Sequence, residues 1–144
     1  MKNRTLILYV TMIVLALSGC RTIPTSINQA TNVPKDRIFA KMQVLSQSPS
    51  SLTLIRDTGL LGAEHVFEFW VNGLLVAELN SGDKFTTPVE PGTVIIEVRM
   101  FNVLGKLAPA QVETVLASGR IYVYRAGIDD TPRLHLARDL DLSK

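Results

Sequence analysis

Val66-Phe67-Glu68-Phe69-Trp70-Val71-Asn72-Gly73-Leu74-Leu75-Val76-Ala77-Glu78-Leu79 is the stretch that decides the fold. Two runs rich in β-branched, aromatic and aliphatic residues flank Asn72-Gly73, a dipeptide that accepts the positive φ angles of a type I′ turn, so the segment reads as a β-hairpin. Similar runs lie on either side of it: Leu52 to Arg56, Lys84 to Thr87, Thr93 to Met100, Gln111 to Leu116, Arg120 to Arg125 and Leu134 to Ala137. Turn-forming residues separate them at Asp57-Thr58-Gly59, Asn80-Ser81-Gly82-Asp83, Glu90-Pro91-Gly92, Ser118-Gly119 and Asp129-Asp130-Thr131-Pro132. Short strands at this spacing predict a mainly β fold, a small antiparallel β-sandwich or open barrel.

Upstream of the strands, Ile38, Met42 and Leu45 recur at helical spacing behind Pro34, which suits a first helical turn. That spacing predicts one short N-terminal helix packed on the sheet. Thr22 to Asn32 is polar, with a period of neither 2 nor 3.6, and reads as a flexible tether spanning about 20 Å. A length of 144 residues suits one domain, and 33–144 is the expected extent of this one.

The N-terminus has a different character. Lys2 and Arg4 precede an apolar run from Leu6 to Leu17, and Ser18 and Gly19 are small residues ahead of Cys20. This is the order of an export signal, and the run is shorter than the roughly 20 apolar residues that cross a bilayer. Leu17-Ser18-Gly19-Cys20 resembles the lipobox of bacterial lipoproteins. The resemblance implies a signal peptide over 1–19, cleavage between Gly19 and Cys20, and diacylglycerol and a further acyl chain such as palmitate on Cys20. Two or three chains hold a protein stably at a membrane, where one does so only marginally. Cys20 is also the single cysteine, so lipidation removes what would otherwise be an unpaired thiol in an oxidising compartment. Arg21, at position two of the mature chain, is not the aspartate that resembles an inner-membrane retention signal. The expected address is the outer membrane, facing the periplasm, with the periplasmic face of the inner membrane as the alternative.

After Gly19 the chain carries 13 Lys plus Arg and 13 Asp plus Glu. The balance is neutral and no basic stripe appears, so nucleic acid is not an expected partner. Candidate chemistry is sparse. His65 and His135 lack metal-ligand spacing, and no metal or cofactor is expected. Gly59-Leu60-Leu61-Gly62 lacks the Lys-Ser/Thr of a phosphate loop, and Asp129-Asp130 lacks the spaced ligands of a calcium loop. Glu64, Glu68 and Glu78 lie near the hairpin, but solvent-facing acidic residues on strands are routine. Trp70 is the residue of most interest. It shares a strand face with Val66 and Glu68, so it either covers a core edge or the helix, or forms an interaction surface.

The order of P-K-D-R-I-F-A, a strand ending at Arg56-Asp57, G-L-L-G, V-N-G and V-E-P-G resembles a group of small envelope lipoproteins of undefined function. The N-G hairpin followed by P-G is also similar to the PEGA-type β module of bacterial surface proteins. The resemblance spans roughly 33–124 and implies a β-sandwich-like domain without known enzymatic activity. The expected function is a non-enzymatic structural or interaction module with an envelope protein or cell-wall partner. A sugar- or peptidoglycan-binding module is the alternative, and a small envelope hydrolase comes third.

Overall fold

The structure, a computed structural model, describes residues 22–59, 62–102 and 105–140. Its strands are β1 (Thr31–Asn32), β2 (Ser50–Arg56), β3 (Phe67–Val71), β4 (Leu74–Leu79), β5 (Asp83–Val89), β6 (Gly92–Asn102), β7 (Gly105–Lys106), β8 (Ala110–Leu116), β9 (Ile121–Ile128) and β10 (Leu134–Arg138). The first sheet has the order β1-β5-β2-β9-β10, with β1 parallel to β5, β2 parallel to β9 and the other pairs antiparallel. The second is antiparallel, β4-β3-β6-β8, with β7 folding back on the end of β6. The fold is the expected small β-sandwich, and no barrel closes.

The predicted hairpin forms the heart of the second sheet. Asn72 and Gly73 both take positive φ, 50° and 76°, as a type I′ turn requires. Asn72 also ties the turn to β6, donating its N–H to the Ile95 carbonyl at 2.8 Å while its Oδ1 accepts the Ile95 N–H at 2.9 Å. Strand alternation sends Phe67, Phe69 and Val71 inward, where they are fully buried with Leu52, Leu54, Leu79, Ile96, Val98 and Tyr124. A register shift between Phe69 and Trp70 lets Val76 join this core beside Ala77.

Arg56 closes one end of the core. It is only 2% exposed, and its guanidinium donates to the carbonyls of His65, Leu79 (2.9 Å) and Gly62 (2.5 Å) while lying 4.1 Å from the centre of the Phe67 ring. These bonds fasten the β2–β3 connection to the end of β4. Burial pushes the group down to about 10, with Asp83 and Glu64 opposing, so it remains a cation at neutral pH.

Two segments differ from their sequence reading. The helix expected from Pro34 to Leu45 is reduced to one 3-10 turn, Lys35–Arg37. Beyond it the chain is extended: Ile38 bridges Ala77, Phe39 donates its N–H to Val76, and burial alternates residue by residue from Ile38 to Leu45. Ile38 and Met42 do reach the core, but Leu45 is 95% exposed. A spacing of four fits both a helix turn and two strand periods, and here the edge of β4 offers backbone partners that favour extension.

Residues 22–32, expected as a tether, lie against the outer face of the first sheet. Ile23 pairs with Thr58, Thr31–Asn32 adds a strand beside β5, and Ala30 with Ile27 covers Ile55 and Val123. This strap explains why β2 and β9 are buried along most of their length, Thr53 and Arg56 included, since the core covers one face and the strap covers Ile55 and Val123 on the other.

Candidate functional site

The second sheet keeps one face open. Alternation along its strands puts Leu75 and Glu78 of β4, Glu68 and Trp70 of β3, Ile95, Glu97 and Arg99 of β6, and Gln111, Glu113 and Val115 of β8 on that face. Trp70 stands at its centre, half-buried, opposite Leu75 on one side and Glu97 on the other. Its ring is covered neither by the core nor by a helix. Instead the Arg99 guanidinium lies 4.1 Å from the ring centre, and the indole N–H donates to Glu68 Oε2 at 3.1 Å. Glu97 in turn grips Arg99 through two bonds, Nε to Oε1 at 2.6 Å and Nη2 to Oε2 at 3.1 Å. The side-chain bond to Glu97 raises the Arg99 pKa against a smaller lowering by desolvation.

Glu68, Trp70, Arg99 and Glu97 thus form one chain of contacts that holds the indole in a fixed pose. Around it, Ile95 and Val115 expose apolar surface, Val115 at 70%, and the acidic side chains of this face outnumber Arg99. The arrangement offers a rigid aromatic anchor, an apolar margin and a negative field. Those are features of a recognition surface, where aromatic residues and arginine concentrate binding energy. Glu68 and Glu78 stand directly opposite each other, on an open sheet rather than in a cleft. Glu64 lies away from them and contacts His65 at 3.2 Å.

A second feature lies at the start of the strap. Thr22, Pro24, Asp57, Ile128, Asp129, Asp130 and His135 line a cleft of about 260 Å³. Thr22 donates its hydroxyl to the Ile128 carbonyl at 3.1 Å, and the His135 ring packs over Gly127 so closely that a Cβ there would stand 2.6 Å from it. His135 Nδ1 is buried without a hydrogen-bond partner among the described residues. Asp57 is already engaged: its Oδ1 accepts the Thr25 N–H at 3.0 Å and Arg125 Nη1 at 2.8 Å. Arg125 also donates to the Thr25 carbonyl at 2.5 Å and to Asp139 at 2.5 Å. Desolvation would lower this guanidinium, but the bonds to Asp139 and Asp57 outweigh it and hold the pKa above its ordinary value. Lys84 adds a bond from Nζ to the Ile27 carbonyl at 2.6 Å.

Asp129 and Asp130 sit in the β9–β10 turn. Asp129 Oδ1 accepts the Thr131 N–H and hydroxyl, both at 2.8 Å, and the Arg133 N–H at 3.1 Å, a turn-building role. No group of three or more His, Cys, Asp or Glu among the described residues is arranged to hold a metal ion. Gly19 and Cys20 lie outside the described residues. Sequence reading singled out Trp70 but missed its partner Arg99, whose signal is its register: β6 places it beside Glu68 and two residues from Glu97.

No family model matches the chain, and no curated protein matches it. Among solved structures, the NMR structure of a protein from Eubacterium rectale aligns with 64% of this chain and 89% of its own, at 15% identity and a TM-score of 0.43.

Proposed function

We propose that this protein is a lipid-anchored envelope lipoprotein whose domain acts as a non-enzymatic interaction module, with the open face around Trp70 as its recognition surface. The anchor is the lipid on Cys20, and the compartment is the periplasm, at the outer membrane. The observation that carries the reading is the Trp70–Arg99 stack braced by Glu68 and Glu97 on an uncovered sheet. Such bracing lowers the entropy lost when a partner immobilises the side chains. Because the face is predominantly acidic, the partner it fits is an envelope protein presenting a basic segment beside an apolar one. Confinement to a membrane raises the effective concentration, so a modest affinity suffices. The sugar-binding alternative is less well supported, since Arg99 already occupies the Trp70 ring as a stacking platform.

The test is in-cell photo-crosslinking from Ile95 and Val115. The reading predicts one discrete protein adduct that disappears in Trp70→Ala and persists when the probe-bearing chain is otherwise unchanged. Adducts of equal yield from a probe at Thr86, on the other sheet, or an adduct indifferent to Trp70→Ala, would contradict it.

A further inference from the structure

The sequence suggests that the domain hangs from its anchor on a flexible leash, and the strap removes that leash. Thr22 is buried and bonded to the Ile128 carbonyl, Ile23 pairs with Thr58, and the Asp57–Arg125 pair holds both the N–H and the carbonyl of Thr25. Only one residue, Arg21, separates Cys20 from Thr22, and two trans peptide units span at most about 7 Å. Lipid on Cys20 would therefore enter the bilayer beside the end of the sandwich where Thr22 is fixed.

That end is defined by the register of both sheets. It gathers the C-terminal ends of β2 and β9, the Ala63–His65 turn held by Arg56, the Asp129–Arg133 turn, and the pairing of Phe67 with Leu79 and Met100. At the opposite end lie the Asn72–Gly73 turn, Thr93 beside Val115, and the Ala117–Gly119 turn. Eight residues of β9 separate the two ends, a rise of about 25 Å. Ile23 strengthens the assignment: it is 65% exposed, next to Pro24, and only three positions past Cys20, where apolar side chains can enter the headgroup boundary.

We infer that the domain, once anchored, stands upright on the bilayer with the Ala63–His65 and Asp129–Arg133 turns down, so that the upper part of the Trp70 face is raised toward the periplasm. This rests on the lipid-anchored reading above and adds a defined orientation to it. Charge of one sign is not what draws the lower end to the membrane, because both signs are present there, in Glu64, Asp129 and Asp130 and in Arg133 and Lys106. Strap and lipid together set the orientation, so it holds on a zwitterionic surface.

Because Cys20 is the single native cysteine, a second one can be labelled selectively once the first carries lipid. Full-length Ala63→Cys, Asp130→Cys, Thr93→Cys and Ala117→Cys, purified from membranes and carrying a fluorophore, are placed in phosphatidylcholine vesicles containing a headgroup nitroxide lipid. Intact mass and vesicle sedimentation first establish the anchor. The expected result is quenching at Ala63 and Asp130 and its loss at Thr93 and Ala117. A flexible insert of about ten Gly and Ser residues between Arg21 and Thr22 abolishes the contrast while leaving sedimentation intact. Lipidated, sedimenting protein with equal quenching at all four positions overturns the orientation and leaves the anchor standing. Protein without lipid overturns the anchored reading itself.

Discussion

At the scale of single residues, three side chains separate stability from recognition. Arg56 is a buried cation whose partners are the carbonyls of Gly62, His65 and Leu79 rather than a carboxylate. Arg56→Leu leaves those acceptors unpaired and should cost about 3–5 kcal/mol in urea unfolding, and Arg56→Lys should recover little because it lacks the planar fork. Arg99 is different, being a half-buried participant in the Trp70 stack on the open face. Trp70 is the only tryptophan, so Arg99→Ala should red-shift the emission of the protein while leaving its melting temperature little changed; an unchanged spectrum would remove the stack from the account. Asp129 carries a pH signature. The hydrogen bond from the Thr131 hydroxyl lowers its pKa below 3.8, desolvation opposes it, and the Arg133 and Thr131 N–H groups add to the lowering. A carboxyl depressed in the folded state stabilises fully above its unfolded value, so this contribution is present above pH 3.8 and is lost as the pH falls through the folded value. Carboxyl NMR titration should find the Asp129 midpoint below that of an unfolded control, and Thr131→Ala should move it upward.

Elements explain what the sequence revealed and what it concealed. The hairpin was legible because Asn72-Gly73 encodes its turn locally and the alternation of Phe67, Phe69 and Val71 encodes its buried face. The strap was not, because its attachment depends on backbone groups and on Asp57, Lys84 and Arg125, which are distant in sequence and become its partners only when the sheet forms. The segment after Pro34 misleads for a different reason. Ile38 and Met42 satisfy both periods, and it is the half-buried Ala40 and Val44, alternating with the exposed Phe39, Lys41 and Leu45, that distinguish extension from helix. The strap has its own test. Arg125→Leu removes the donor shared by Thr25, Asp57 and Asp139, so amide exchange at Thr25 and Ala30 should accelerate while exchange in β3 and β6 stays slow. Gly127→Ala should loosen Thr22 as well, because a Cβ there would stand 2.7 Å from its hydroxyl oxygen.

For the molecule as a whole, the two sheets divide the work. One packs on the core with its inner face and carries the strap over Ile55 and Val123 on its outer face, and the other buries one face and leaves the other open around Trp70. Phe69, fully buried between them, is a place where the sandwich as a unit can be challenged: Phe69→Ala should cost about 3–5 kcal/mol, read as a lower urea midpoint with little change in slope. The proposed role needs one thing more, attachment at a membrane through Cys20. The most direct measurement is mass spectrometry of the N-terminal peptide of the protein isolated from its native host. The account predicts a chain beginning at Cys20 and bearing diacylglycerol, with or without a third acyl chain. An intact leader, or a free thiol at that position, would contradict it.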